Sequence, residues 1–131
     1  MTELERIGSE LQSYTDEFDR LNALIAYSAK LPQPGDTLIT DENLIRGCQS
    51  KVWVKLSCRN GAMYLEAYSD TRIIRGILAI LKLAIDGSDG EILQSLDGSL
   101  LKRLGIDEFL SANRRSGVHA ILNKIKGLEK G

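Results

Sequence analysis

The chain has 131 residues, the length of one domain over 1–131 with a core large enough to fold alone. Its 43% apolar and 27% charged content is that of an ordinary globular chain. With 17 Lys+Arg against 18 Asp+Glu the net charge is −1, which argues against a general nucleic-acid binder and its basic stripe. The N-terminus "MTELERIGSELQ" is polar and helical in pattern, unlike a secretory leader. The most apolar run, "IIRGILAILKLAI", is interrupted by Arg75 and Lys82 and is too short to span a bilayer. No membrane role is expected. Two cysteines without a leader point to a reducing cytoplasm and free thiols.

In chain order, a short helix is expected over 3–13. A stronger one follows over 16–31, with Thr15 as N-cap and Phe18, Leu21, Leu24, Ile25 and Leu31 at helical spacing. Pro32 and Pro34 stop it. "KVWVKLSC" then alternates, with Val52, Val54, Leu56 and Cys58 on one face. Asn60-Gly61 signals a two-residue hairpin turn into "AMYLEAYS". Counting outward pairs Cys58 with Met63, Leu56 with Leu65, Val54 with Ala67, Lys55 with Glu66 and Trp53 with Tyr68. Leu44 and Ile45 are expected to add a short third strand. Asp70 or Ser69 should cap a helix over 71–85 that is apolar nearly all round. Short helices are expected at 89–96, 99–104 and 107–111, and a last one over 115–128. Helix, antiparallel sheet, then several helices make an α+β domain.

The chemistry narrows to the thiols. Cys58 alternates with Val52, Val54 and Leu56, so it is expected to face the core as a small hydrophobe. Cys48 lies outside that alternation, after Gly47 in a turn, and the residues alone leave packing and reactivity both open. No metal site is expected. A structural zinc wants four Cys or His ligands. The chain offers two cysteines and His119, which reads as part of a solvated helix face. No phosphate-binding glycine motif is present; a Cys–His catalytic pair stays open, but no residue that would orient it can be named.

Three stretches resemble one family in order and spacing. "IRGCQSKVW" is similar to the signature of the SufE-type sulfur acceptors, with Gly47, Cys48, Gln49, Ser50, Val52 and Trp53 matching. "SDTRIIRGILAIL" resembles that family's Ser/Asp helix start with an internal basic-Gly pair, here Ser69, Asp70, Arg75 and Gly76. "LGIDEFLSANRRSGVHAIL" resembles its Leu-Ser-Pro-Ser-Arg-x-x-Gly-Leu stretch through Arg114 and Gly117. Ala112 and Asn113 depart from the usual Pro and Ser, Val118 replaces Leu, and Arg115 leaves the choice of functional arginine open.

The resemblance implies a SufE/IscU-like fold and a carrier of sulfane sulfur. A cysteine desulfurase of the SufS or CsdA type would load Cys48 as a persulfide and be stimulated in return. An iron–sulfur scaffold such as SufBCD would receive the sulfur. Pyridoxal phosphate would stay with the desulfurase, so no cofactor is expected on this chain. Gly47, Gln49, Ser50, Asp70 and Arg114 are the implied supporting residues, acting on the loop, the thiolate or the partner. Asp70 also reads as a plain N-cap. Two other classes stand beside the carrier: a non-catalytic adaptor that only activates a desulfurase, and a cysteine-dependent redox protein.

Overall fold

The computed structural model describes residues 2–46 and 49–130. Helix α1 (Glu3–Gln12) starts where Thr2 Oγ1 accepts the Glu5 N–H. Helix α2 (Glu17–Ala26) is capped by Asp16, not by the expected Thr15. The Asp16 carboxylate accepts from Phe18 N at 2.7 Å and Asp19 N at 3.3 Å. The expected helix over 16–31 ends early, passing into a 3-10 turn at Tyr27–Lys30 before Pro32. Phe18 stands 77% exposed, contrary to its place on the apolar stripe. It occupies the first turn of α2, whereas Leu24, two turns further on, is fully buried.

Strands β1 (Val52–Arg59) and β2 (Ala62–Ser69) pair antiparallel in the expected register, including Cys58 with Met63 and Trp53 with Tyr68. Asn60 (φ 53°) and Gly61 (φ 80°) both take the left-handed region that a tight hairpin turn of this twist requires. The third strand shrinks to one bridge, Leu44 with Trp53. Its hydrogen bonds still close the outer edge of β1: Ile45 N–H to Val52 O (2.8 Å) and Val54 N–H to Asn43 O (3.0 Å). The loop after helix α3 (Arg72–Ile85) closes the outer edge of β2. Met63 N–H meets Ser88 O at 2.7 Å, and Leu65 N–H meets the Asp86 carboxylate at 2.8 Å. A two-stranded sheet is marginal alone; here both edges are occupied and one face is covered.

That cover comes from α3 against β2 and helix α5 (Ala112–Lys130) against β1. α3 is the centre, with Ile74, Ile77, Leu78, Ile80, Leu81 and Ile85 all buried. Gly76 lets α2 approach: a Cβ there would strike the Leu24 carbonyl oxygen. Helix α4 (Leu100–Arg103) is flanked by 3-10 turns at Glu91–Ser95 and Asp107–Phe109, where helices were expected. α5 begins three residues before the expected Arg115, because Ser111 Oγ accepts the Arg114 N–H at 3.2 Å as a cap would.

Cys58 is exposed, which corrects its expected core position. It does share the face of Val52 and Val54, but burial fades along β1 from those two fully buried valines through half-buried Leu56. The hairpin tip runs beyond the helices that cover the sheet. The loop at 86–90 reaches Met63 on β2 and leaves its cross-strand partner Cys58 in solvent. Trp53, on the opposite face, is half-buried beside Tyr68.

Candidate functional site

Gly47 and Cys48 lie outside the described residues; the site is defined by what brackets them. On the upstream side Ile45 is tied to Val52 by its backbone N–H. On the downstream side Lys51 and Asp70 extend the ladder by one pair, with Asp70 N–H to Lys51 O at 3.2 Å. The Asp70 carboxylate returns the contact by accepting the Lys51 N–H at 3.1 Å. Asp70 is therefore not the cap of α3, and neither is Ser69. Thr71 holds the N-cap position, and Asp70 clamps the chain that leaves the Cys48 segment. Ser69 is fully buried and accepts the Thr71 N–H at 3.2 Å, which fixes the approach to the helix.

Ser50 joins the same cluster. Its hydroxyl lies 2.6 Å from Thr71 Oγ1, and Thr71 Oγ1 donates to the Asp70 carboxylate at 3.1 Å. A hydroxyl carries one proton. Thr71 gives its proton to Asp70, so Ser50 is the donor in the Ser50–Thr71 bond. Ser50, Thr71 and Asp70 thus form a directed chain that ends on the carboxylate.

A cleft of about 160 Å³ opens beside this cluster, lined by Gln49, Ser50, Ile74, Ser111, Asn113, Arg114 and Gly117. The structure brings Gln49, Ser50 and Arg114 to one cleft and sets Asp70 next to it through Ser50. It also separates the two arginines. Arg115 donates to Asp107 O (3.2 Å) and Leu110 O (3.1 Å), holding the 3-10 turn against the start of α5. The Arg114 guanidinium has no hydrogen bond or ion pair among the described residues and lies along the cleft. Arg46, Lys51 and Arg72, all exposed, stand at the same end of the fold. A larger concavity than this cleft, about 860 Å³ between α1 and the segment at 88–95, shares no lining residue with it.

The family model of the Fe-S metabolism associated domain, SufE, matches residues 5–129. The chain belongs to the SufE family. Among relatives of this SufE chain, the sulfur acceptor protein CsdE of Escherichia coli (strain K12) is 34% identical, covering 92% of this chain and 84% of CsdE. A SufE-like protein of Rhizobium meliloti is 28% identical over 100% of this chain and 97% of its own. A chloroplastic quinolinate synthase of Nicotiana tabacum matches 91% of the chain at 32% identity, using only 17% of its own length. A solution structure of a hypothetical protein from Thermus thermophilus superposes with TM-score 0.83 over 99% of this chain and 96% of its own; at 19% identity that likeness speaks for the fold.

Sequence reasoning missed Thr71 and Ser111. Ser111 had a legible signal, a serine opening a helical stretch. Thr71 had none, since its importance lies in a contact with Ser50, twenty-one residues earlier. His119 is exposed on α5, as its pattern suggested. Among the described residues no three His, Cys, Asp or Glu side chains gather into a metal-binding group, and no helix is long and apolar enough to cross a membrane.

Proposed function

We propose that this SufE-family chain is a sulfur acceptor that carries sulfane sulfur as a persulfide on Cys48. The donor is the persulfide of a pyridoxal-phosphate-dependent cysteine desulfurase. The Cys48 thiolate attacks the terminal sulfur; a new S–S bond forms on Cys48, the old one breaks, and the desulfurase cysteine leaves as a thiolate. Sulfane sulfur changes hands without any outside oxidant or reductant. The chain stimulates the desulfurase by emptying it, and passes the sulfur on to an iron–sulfur assembly scaffold in the cytoplasm.

The observation that carries this reading is the SufE match over nearly the whole chain together with the resemblance to CsdE, a sulfur acceptor by name. The geometry agrees with it. Transfer between two thiols needs a thiol that can reach a partner, and the Cys48 segment is short and held on both sides. Arg114 has a guanidinium uncommitted among the described residues for the thiolate or the partner, while Asp70 and Ser50 hold the segment. Gly47 gives the backbone freedom to turn there.

The test mixes the protein with a desulfurase and free cysteine and weighs the intact chain. Wild type should gain one sulfur atom that dithiothreitol removes, and Cys48→Ser should gain none. Because Cys58 is exposed, Cys58→Ser belongs in the same experiment and should still be loaded. Loading that survives in Cys48→Ser but vanishes in Cys58→Ser overturns the assignment. Full desulfurase stimulation by Cys48→Ser means that the chain is an adaptor rather than a carrier.

A further inference from the structure

Helix α1 and the segment at 88–95 form the two walls of the groove of about 860 Å³. Its floor is apolar: Leu4 from α1, Ala84 from the last turn of α3, and Ile92 from the 3-10 turn at Glu91–Ser95. Ala84 and Ile92 are only half-buried, so hydrocarbon in the groove is open to solvent. Along the α1 wall Thr2, Glu5, Ser9 and Gln12 follow at intervals of three or four residues, which is one helix face about 15 Å long.

The rim is acidic. Glu5, Asp89 and Glu91 are exposed and make no ion pair among the described residues, whereas Glu3 is paired with Arg6. The Asp89 carboxylate accepts the Glu91 N–H at 3.0 Å, which sets both side chains at the same edge. The cation in the lining, Arg103, donates to Ser95 O at 3.0 Å. Three carboxylates without a cation thus surround an uncovered apolar floor.

We propose that this groove docks a basic amphipathic helix of a partner protein. Its aliphatic face covers Leu4, Ala84 and Ile92, and its lysines or arginines meet Glu5, Asp89 and Glu91. About three helical turns match the length of the α1 wall. Charge selects this occupant. A second copy of the chain would have to present an exposed apolar helix face, and Phe18, at 77% exposure, stands in one. It is flanked by Asp16, Glu17 and Asp19, which the acidic rim repels. Nucleic acid is repelled for the same reason. The groove and the cleft beside Ser50 lie towards opposite ends of α3. Ile74 lines the cleft and Ala84, ten residues later, lines the groove, about 15 Å further along the helix axis. A partner held in the groove therefore leaves the cleft end free for a second protein. This docking goes beyond the sulfur-acceptor reading and does not rest on it.

The probe is a fluorescein-labelled peptide of about fourteen residues with leucine and lysine at helical spacing; its counterpart carries glutamate for lysine. Anisotropy titrations should show saturable binding of the lysine peptide, roughly tenfold tighter or more than the glutamate peptide. Amide resonances that shift on binding should gather on α1 and at 88–95. Glu5→Gln, Asp89→Asn and Glu91→Gln combined keep the shape and remove the charge; they should weaken binding roughly tenfold with an unchanged circular dichroism spectrum. Ile92→Ser takes hydrocarbon from the floor and should weaken it by a similar factor.

Absence of saturable binding overturns the proposal. So do equal affinities for the two peptides, shifts gathered elsewhere, or full affinity in the combined amide variant. That variant should also gain sulfur from a desulfurase as wild type does. If it is folded and gains none while wild type is loaded, the groove belongs to the desulfurase contact and the separate docking site is overturned. If wild type itself gains no sulfur, the carrier reading fails, and the peptide titrations still decide the groove.

Discussion

Replacing Gly76 by alanine sets two effects against each other. In a helix interior Gly→Ala is favourable by about 1 kcal/mol, through lower backbone entropy in the unfolded chain. At Gly76 the new methyl meets the Leu24 carbonyl oxygen within hard contact, with the carbonyl carbon at 3.2 Å and Leu24 Cδ1 at 3.5 Å. The oxygen is backbone and cannot rotate away, so α2 must move off α3. Such overpacking costs about 3 kcal/mol at the upper end of its usual range. The separation also loosens Leu24 and Ile77, both fully buried. The net expectation is a loss of about 2 kcal/mol, or a fall in Tm of roughly 6–8 °C for a domain of this size. Guanidinium unfolding followed by circular dichroism gives the midpoint and the m-value. The control is Gly127→Ala on α5, where a Cβ meets nothing within 4 Å; it should gain about 0.5–1 kcal/mol. A Gly76→Ala midpoint equal to or above wild type, at unchanged m, would refute the close α2–α3 contact.

The remaining expectations are local. Asp86→Ala removes the acceptor of the Leu65 N–H and the Lys82 ion pair at 2.9 Å; a half-buried strand N–H left unpaired should cost about 1–3 kcal/mol in the same unfolding assay. The Tyr27 phenol is pushed up from 10 to about 12 by burial and by its hydrogen bond to Glu10. Its folded pKa is raised, so its contribution is whole below pH 10 and is lost as pH climbs towards 12. Tyr27→Phe should flatten that alkaline fall in a stability–pH series, and an unchanged slope would contradict it. Cys58 should react with a thiol reagent in the native protein, and Cys58→Ala should shift stability by less than about 0.5 kcal/mol. A buried cysteine would show the opposite on both counts.

Much of the fold is legible in the residues, and the hairpin most of all. Asn60-Gly61 fixes the turn, and a side-chain period of two then fixes every cross-strand pair. Both signals act between close neighbours in the chain. The motif around Cys48 is equally legible, since it is a run of adjacent residues. Helix ends were less so. Asp16 took the cap from Thr15, and Tyr27–Lys30 tightened into a 3-10 turn, because caps compete within one residue of each other and the choice depends on how the chain enters the core.

By itself the sequence determined the α+β order of elements, the strand register and the thiol to suspect. Only the tertiary structure decided what covers each position. Alternation puts Cys58 on the core face, but the helices above the sheet stop short of the hairpin tip, so it meets solvent. Arg114 and Arg115 are adjacent and alike, yet Arg115 is held by carbonyls of the preceding turn and Arg114 is left to the cleft. Asp70 or Ser69 reads as the cap of α3, yet Thr71 takes that position and its hydroxyl meets Ser50, which precedes the hairpin that Thr71 follows. In each case the deciding partner is distant in sequence, and periodicity and local propensity carry no information about such partners.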